Sequence, residues 1–496
     1  MAGDESTWTT YREKISELEA LHGATGVLSW DQQTYMPKGG AGHRGEQLAA
    51  LSAVFHERMT TPALGELIGE LLESEDPLHA ASARRVKRRY DRATKVPVSL
   101  VKAMSKARSE GFGAWMKARE AGDFAPFEAA LTELVRVTRE TAAAIDGDAH
   151  PYDAMLAEYD PGSTVAELDP MFARLESELV PFVRSTAGRE GPAGLDGVHV
   201  PADALRTINQ RVIAALGFRE EDGRLDESQH PFTVGIGPHD VRLTTHLYED
   251  DLLGTLGGTI HECGHGLYEQ GIPDALVGTG LGEAAGVGLH ESQSRFWENV
   301  IGRSPAFCRW LVPLMKEAHP DLDLTPERLY GAANRVDPSL IRIKADEATY
   351  NLHILIRYRL ETALLTGDLP VADAAAAWDE AYERMLGIRP GSPTEGVLQD
   401  VHWASGYFGY FPSYTIGNLY ASSFKACIEQ DLPDLWDRVE AGDFAPVLDW
   451  LREKVHHRGA KVDAPEVFRD AVGDRDPVAD LMAHLRSRHG ALYGVG

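Results

Sequence analysis

The sequence predicts a mainly α-helical protein: one large helical body with a small β-hairpin or sheet. Three observations carry that expectation. Apolar residues recur at helical spacing along most of the chain. One short region alternates with a period of two instead. No internal repeat, low-complexity tract or flexible linker divides the 496 residues, so residues 1–496 are read as a single helical domain. With 43% of its residues hydrophobic, the chain can bury a large core.

The elements follow in order. YREKISELEALHGATGVLSW (11–30) places Ile15, Leu18, Leu21 and Leu28 on one helical stripe. RRVKRRYDRATK (84–95) reads as a solvated basic helix face. FEAALTELVRVTRETAAAI (127–145) repeats the helical pattern through Leu131, Leu134 and Val135. Gly- and Pro-rich breaks are expected at 146–163 and 187–201. In HPFTVGIGPHDVRLTTHLYEDD (230–251), Val241, Leu243, Thr245 and Leu247 alternate with Arg242, Thr244 and His246, which predicts a short strand or hairpin. Arg242 is expected to pair with an acidic neighbour. A helix should then begin near Leu256.

Composition narrows the function. A formal net charge of -27 argues against a nucleic-acid partner, because phosphate binding needs clustered Lys and Arg. Three cysteines, none at CxxC spacing, fit a reducing compartment. The polar start MAGDESTWTTYREK lacks the features of a signal peptide. No apolar run reaches the roughly 18 residues that would cross a bilayer. The expectation is a soluble, cytoplasmic protein with no membrane partner.

The chemistry concentrates in TIHECGHGLYEQ (259–270). Residues i and i+4 of a helix lie about 40° apart on one face, so His261 and His265 can reach one ion. Glu262 lies about 100° around the helix and can reach water at that ion without ligating it. Cys263 points away and is not counted as a ligand. The competing reading is a surface helix with two solvated histidines. Gly257, Gly258, Gly264 and Gly266 speak against it. Each costs roughly 1 kcal/mol relative to Ala, a cost that close backbone approach would explain.

A third ligand is required. Tyr268 and Gly271 stand where the HExxHxxGxxH pattern needs Gly and His, so that class is excluded. Glu269, one turn beyond His265, should curve away from the ion. LGEAAGVGLHESQSRFWENVIG (281–302) reads as a second helix that offers Glu283, His290, Glu291 and Glu298. Spacing alone does not choose among them.

Several further motifs bear on that choice. They are SWDQQTYMP (29–37), YDAMLAEYDPG (152–162), HPF (230–232), DVRLT (240–244), HECGH (261–265), HESQ (290–293), IRIKAD (341–346) and GVLQDVHW (396–403). In kind and order they resemble the carboxypeptidase Taq family of metallocarboxypeptidases. The resemblance implies His261, His265 and Glu291 as ligands of one Zn2+, which Co2+ can replace, and Glu262 as general base. It also implies an almost all-helical fold with a deep active-site cleft, and a homodimer.

The implied activity is hydrolysis of single amino acids from peptides with a free C-terminus, with broad specificity. Arg342 of IRIKAD is assigned by the resemblance to the terminal carboxylate, since a guanidinium makes two parallel charge-assisted bonds. From the residues alone, a salt bridge to Asp346 at i+4 is an equal reading for Arg342. His402 and Tyr410 are candidates to stabilise the oxyanion, by analogy with related helical zinc peptidases. Tyr407 and Tyr414 are alternatives, and an aromatic core segment is the competing account. His230 is expected to line the substrate cleft or to form a turn. Gln399 and Asp400 are expected to orient neighbouring groups. The strand at 241–247 could pair with an extended peptide through an open edge. Two other functions stay open: a dipeptidyl carboxypeptidase or oligopeptidase, and an inactive peptide-binding protein.

Overall fold

The structure is a computed structural model that describes residues 2–186 and 188–495. Twenty α-helices and one three-stranded sheet occur among the described residues, so the helical class and the small sheet are both present. The chain forms two compact units, each assembled from three stretches. The first comprises the chain up to Ala93, Ala193–Ala333 and Tyr420–Arg475. The second comprises Thr94–Pro192, Asn334–Leu419 and the chain from Asp476.

In the first unit, the helix Ala2–Gln33 buries Trp8, Tyr11, Ile15 and Leu18 against Leu64, Ile68, Leu71 and Val86. Leu21 and Leu28 are only partly buried, so the predicted stripe is a core face in its first half. The basic run is solvent-facing, with Arg84, Arg88 and Arg89 exposed, and it also makes ion pairs. Arg85 and Arg89 both pair with Glu283, and Arg88 pairs with Asp463. Such pairs join segments far apart in sequence, which local periodicity does not reveal.

The sheet consists of β1 (Gly223–Glu227), β2 (Thr233–Gly237) and β3 (Asp240–Thr245) in the order β1-β3-β2. β1 runs parallel to β3, and β2 is antiparallel to it. The predicted strand is therefore the central one. Both of its edges are paired, which overturns the expectation that it offers an open edge to a peptide. Arg242 pairs with Asp240 through two bonds of 2.9 Å and lies over the Trp30 ring.

The HECGH helix spans Leu252–Glu269 and starts four residues earlier than expected. Asp251 is its N-cap, accepting a hydrogen bond from the Gly254 amide. The helix lies on the sheet where Gly266 faces Leu243 and Phe218; a Cβ there would stand 2.7 Å and 2.9 Å from them. The second predicted helix is shorter than 281–302. Its α-helical part is Val287–Arg295, followed by a π-helical turn over Phe296–Ile301. Glu283 lies outside it.

In the second unit, the helices Val98–Ala121 and Ala125–Ile145 pack together, with Leu131, Leu134 and Val135 buried as expected. The predicted break at 146–163 contains a helix, Pro151–Tyr159. Pro151 occupies its first turn, where the missing N–H costs nothing, so the proline marks a start and not a gap. Residues 188–201 are non-helical, as expected. The helix Glu347–Thr366 is buried on nearly all sides, with Asn351, His353, Arg357 and Glu361 inside as well.

Candidate active site

The HECGH and HESQ helices approach closely in the first unit. A Cβ on Gly264 would stand 2.6 Å from Ser294 Cα and 2.7 Å from the Gln293 carbonyl oxygen. Glycine is thus what permits the contact. The approach brings His261, His265 and Glu291 together, with one donor atom from each within 4.8 Å of the others. Both imidazole Nε2 atoms face Glu291 Oε2, at 3.7 Å for His261 and 3.4 Å for His265.

The outer atoms of these groups are all engaged. His261 Nδ1 lies 2.9 Å from Glu298 Oε2. His265 Nδ1 meets His290 Nδ1, and His290 Nε2 lies 2.8 Å from Glu269 Oε1. Arg295 donates to Glu291 Oε1 at 2.8 Å and reaches Glu298 at 3.4 Å. Arg303 donates to the other Glu298 oxygen at 2.8 Å. Of the four residues offered by the second helix, Glu291 faces both histidines. Glu298 and His290 stand behind them, and Glu283 is bound by arginines elsewhere.

Electrostatics suit a cation. Burial disfavours the charged form of Glu291, but His261, Arg295 and His265 outweigh it and hold the carboxyl well below its usual range. Burial and the His290 neighbour push His265 down to about 3, which keeps it neutral. For His261 burial acts downward, but Glu291 and Glu298 raise the ring above its ordinary value. Two imidazole nitrogens and a carboxylate with engaged outer atoms fit a divalent metal ion. Glu262 is buried beside them. Thr233 of β2 donates its hydroxyl toward Glu262 Oε2 at 2.7 Å and lies 2.9 Å from its backbone oxygen. Burial raises the Glu262 pKa, partly offset by His261 and Thr233.

The second unit holds a cationic cluster. Arg342 is buried and lies on a 3-10 turn, Arg342–Lys344, not on a helix. Its partner is Asp400, at 3.0 Å from Nε and 2.9 Å from Nη2. The Asp346 pairing does not occur, because Asp346 caps the next helix by accepting from the Ala348 and Thr349 amides. Arg357, fully buried, takes the other Asp400 oxygen at 2.7 Å from Nε and 2.6 Å from Nη2. Two guanidiniums therefore share one carboxylate. Gln399 Oε1 accepts from the Arg342 amide and from Arg357. Tyr350 and Tyr414 flank Arg342.

Comparison with known proteins identifies the family of this chain. The family model described as "Carboxypeptidase Taq (M32) metallopeptidase" matches residues 10–489. The chain is 39% identical to "Thermostable carboxypeptidase 1" of Thermus thermophilus, over 99% of both chains. It is 37% identical to "Carboxypeptidase 1" of Bacillus subtilis, over 95% of each. The crystal structure of an M32 carboxypeptidase from Deinococcus radiodurans R1 superimposes with a TM-score of 0.96 at 36% identity, covering 99% of this chain and 100% of that one. The chain belongs to the carboxypeptidase Taq (M32) metallopeptidase family. It is a metallocarboxypeptidase, a peptide hydrolase, and its family implies a metal ion.

The remaining predicted site residues of this metallocarboxypeptidase are placed as follows. His402 and Tyr410 lie in the second unit with ring centres 5.7 Å apart, and His402 faces Phe411 at 4.4 Å. Burial holds the His402 pKa down at about 4. Its Nδ1 is buried with no hydrogen-bond partner among the described residues. His230 is exposed on the β1–β2 loop, where its carbonyl accepts from the Ser228 hydroxyl. Sequence reasoning missed Thr233, Arg295 and Arg357. Arg295 was within reach, since it lies one helical turn from Glu291. Arg357 gave no signal, because its partner is 43 residues away. No helix among the described residues is long and apolar enough to cross a membrane.

Proposed function

We propose that this metallocarboxypeptidase removes single amino acids from peptides with a free C-terminus, with broad side-chain preference, using one zinc ion held by His261, His265 and Glu291. The convergence of those three donors beside Glu262 carries this reading. When bound, zinc supplies a Lewis acid that activates water and polarises the scissile carbonyl. Glu262 takes the water proton and later passes it to the leaving amine. Its burial, which favours the protonated carboxyl, suits a group that must hold a proton between those events. Thr233 keeps the Glu262 carboxylate oriented.

Arg342 receives the terminal carboxylate. Support comes from its charge balance, since Arg342 and Arg357 together exceed Asp400 by one positive charge. Tyr410 and the neutral imidazole of His402 donate to the oxyanion. His230 lines the peptide's path as an exposed loop residue. The whole of residues 1–496 acts as one catalytic domain, because neither compact unit is a contiguous piece of chain. The enzyme works in the cytoplasm, as a homodimer; its three cysteines, none at CxxC spacing, suit a reducing compartment.

The deciding experiment digests one defined peptide in free and amidated forms, reads the products by mass spectrometry and measures metal on the same sample. Release of single residues from the free form alone, with one zinc per chain, is expected. Chelation should remove activity, and zinc or cobalt should restore it. Release of dipeptides would transfer the chain to the dipeptidyl class. Equal cleavage of the amidated peptide would exclude an exopeptidase.

A further inference from the structure

We propose that His290 and Glu269 form a positioning relay that fixes His265 for the metal ion, a two-residue counterpart of the direct Glu298 contact behind His261. The inference rests on the reading of His265 as a ligand. With Nε2, the atom that faces Glu291 at 3.4 Å, as the metal-binding atom, the lone pair is used there and the ring proton sits on Nδ1. That Nδ1 meets His290 Nδ1. The ring planes differ by only 23°, with centres 4.4 Å apart. His290 must accept at this contact, which leaves its own proton on Nε2. Nε2 lies 2.8 Å from Glu269 Oε1, a carboxylate oxygen placed to accept.

Direction is therefore fixed at each link: His265 donates to His290, and His290 donates to Glu269. Nothing in the chain of contacts is left to choose a tautomer. Glu269 is one turn beyond His265 on the same helix, so the feature that disqualifies it as a ligand qualifies it as the terminus of the relay. Space for its carboxylate comes from β2. A Cβ on Gly235 would stand 2.9 Å from Glu269 Oε2. Groups in this position orient a ligating imidazole and raise its basicity.

The test uses the full-length enzyme and measures zinc affinity by chelator competition, with the visible spectrum of the cobalt form as a second readout. His290→Phe keeps a flat ring but removes the acceptor. It is expected to weaken zinc binding by about 10–100-fold and to shift the cobalt bands. His290→Asn, whose side-chain oxygen can stand in for Nδ1, should recover part of both. Glu269→Gln should weaken binding less than His290→Phe. Wild-type affinity and an unchanged spectrum in His290→Phe would overturn the relay. If that variant does not fold, Glu269→Leu, which removes the acceptor for His290, decides, and wild-type values there overturn the relay. His265→Ala separates the two readings. Wild-type zinc binding in His265→Ala would remove the ligand assignment itself. Loss there, with no weakening in His290→Phe, would remove only the relay.

Discussion

Glu262 and Arg342 are both buried, and each is held by a residue from another element. For Glu262 that residue is Thr233 of β2; for Arg342 it is Asp400. Such external supports fix a charged side chain more tightly than its own backbone can. Replacing Glu262 by Gln leaves the shape and removes the proposed base. Turnover should fall by about 10²–10⁴-fold or more, with zinc content and peptide binding retained. Normal turnover in that variant, measured beside its zinc content, would remove the assignment. Arg342→Ala should raise KM for free-carboxylate peptides by a factor corresponding to about 2–5 kcal/mol. Steady-state kinetics on a free and an amidated peptide checks this, since only the free form should respond. The Arg342 contact also corrects the local expectation. An i+4 pairing presumes a helix, and Asp346 instead ends the preceding loop as an N-cap.

At the scale of elements, the proposed metal centre depends on how closely two helices approach. The glycines of the HECGH helix do not contribute equally. Gly264 touches the HESQ helix backbone, and Gly266 touches the sheet side, whereas Gly257 has only an ordinary contact, 3.8 Å from Glu298 Oε1. Gly264→Ala should therefore destabilise the protein by about 1–3 kcal/mol and weaken zinc binding, because the helices must part. Gly257→Ala should leave stability unchanged or raise it by up to about 1 kcal/mol, through helix propensity. Thermal unfolding of both variants, with and without zinc, distinguishes the two roles. The π-helical turn after the HESQ helix belongs at this scale too. It carries Glu298, and π-turns often occur where a helix must re-aim a functional side chain.

For the whole molecule, pH acts through groups outside the proposed metal ligands as well. Glu361 accepts from Tyr152, Trp403 and the Gly409 amide, and so ties down the segment that carries His402 and Tyr410. Burial raises its pKa from 4.5 to about 7, against the pull of those donors. Between those values the folded protein keeps a proton that the unfolded chain has lost. Its stabilising contribution is complete below the ordinary carboxylate range and is lost as pH rises through about 7. Glu361→Gln should flatten this part of the stability profile. Denaturant unfolding of both proteins on either side of neutrality measures the difference; parallel profiles would contradict it.

The sequence by itself determined the helical class, the early and middle helices, the strand region and the pairing of His261 with His265, because these follow from periodicities of two and 3.6 residues. The ordered motifs added the family, and hence the reaction class. Spacing left four acidic or imidazole groups open, and the resemblance implied Glu291. The tertiary structure shows that it is Glu291 that faces both histidines, that Asp400 and not Asp346 holds Arg342, and that the predicted strand is central. It also decided that the basic run is paired. The physical reason is shared by all four. Periodicity states which face of an element is apolar, but not which distant element covers it, and each of these contacts joins residues separated by tens to hundreds of positions.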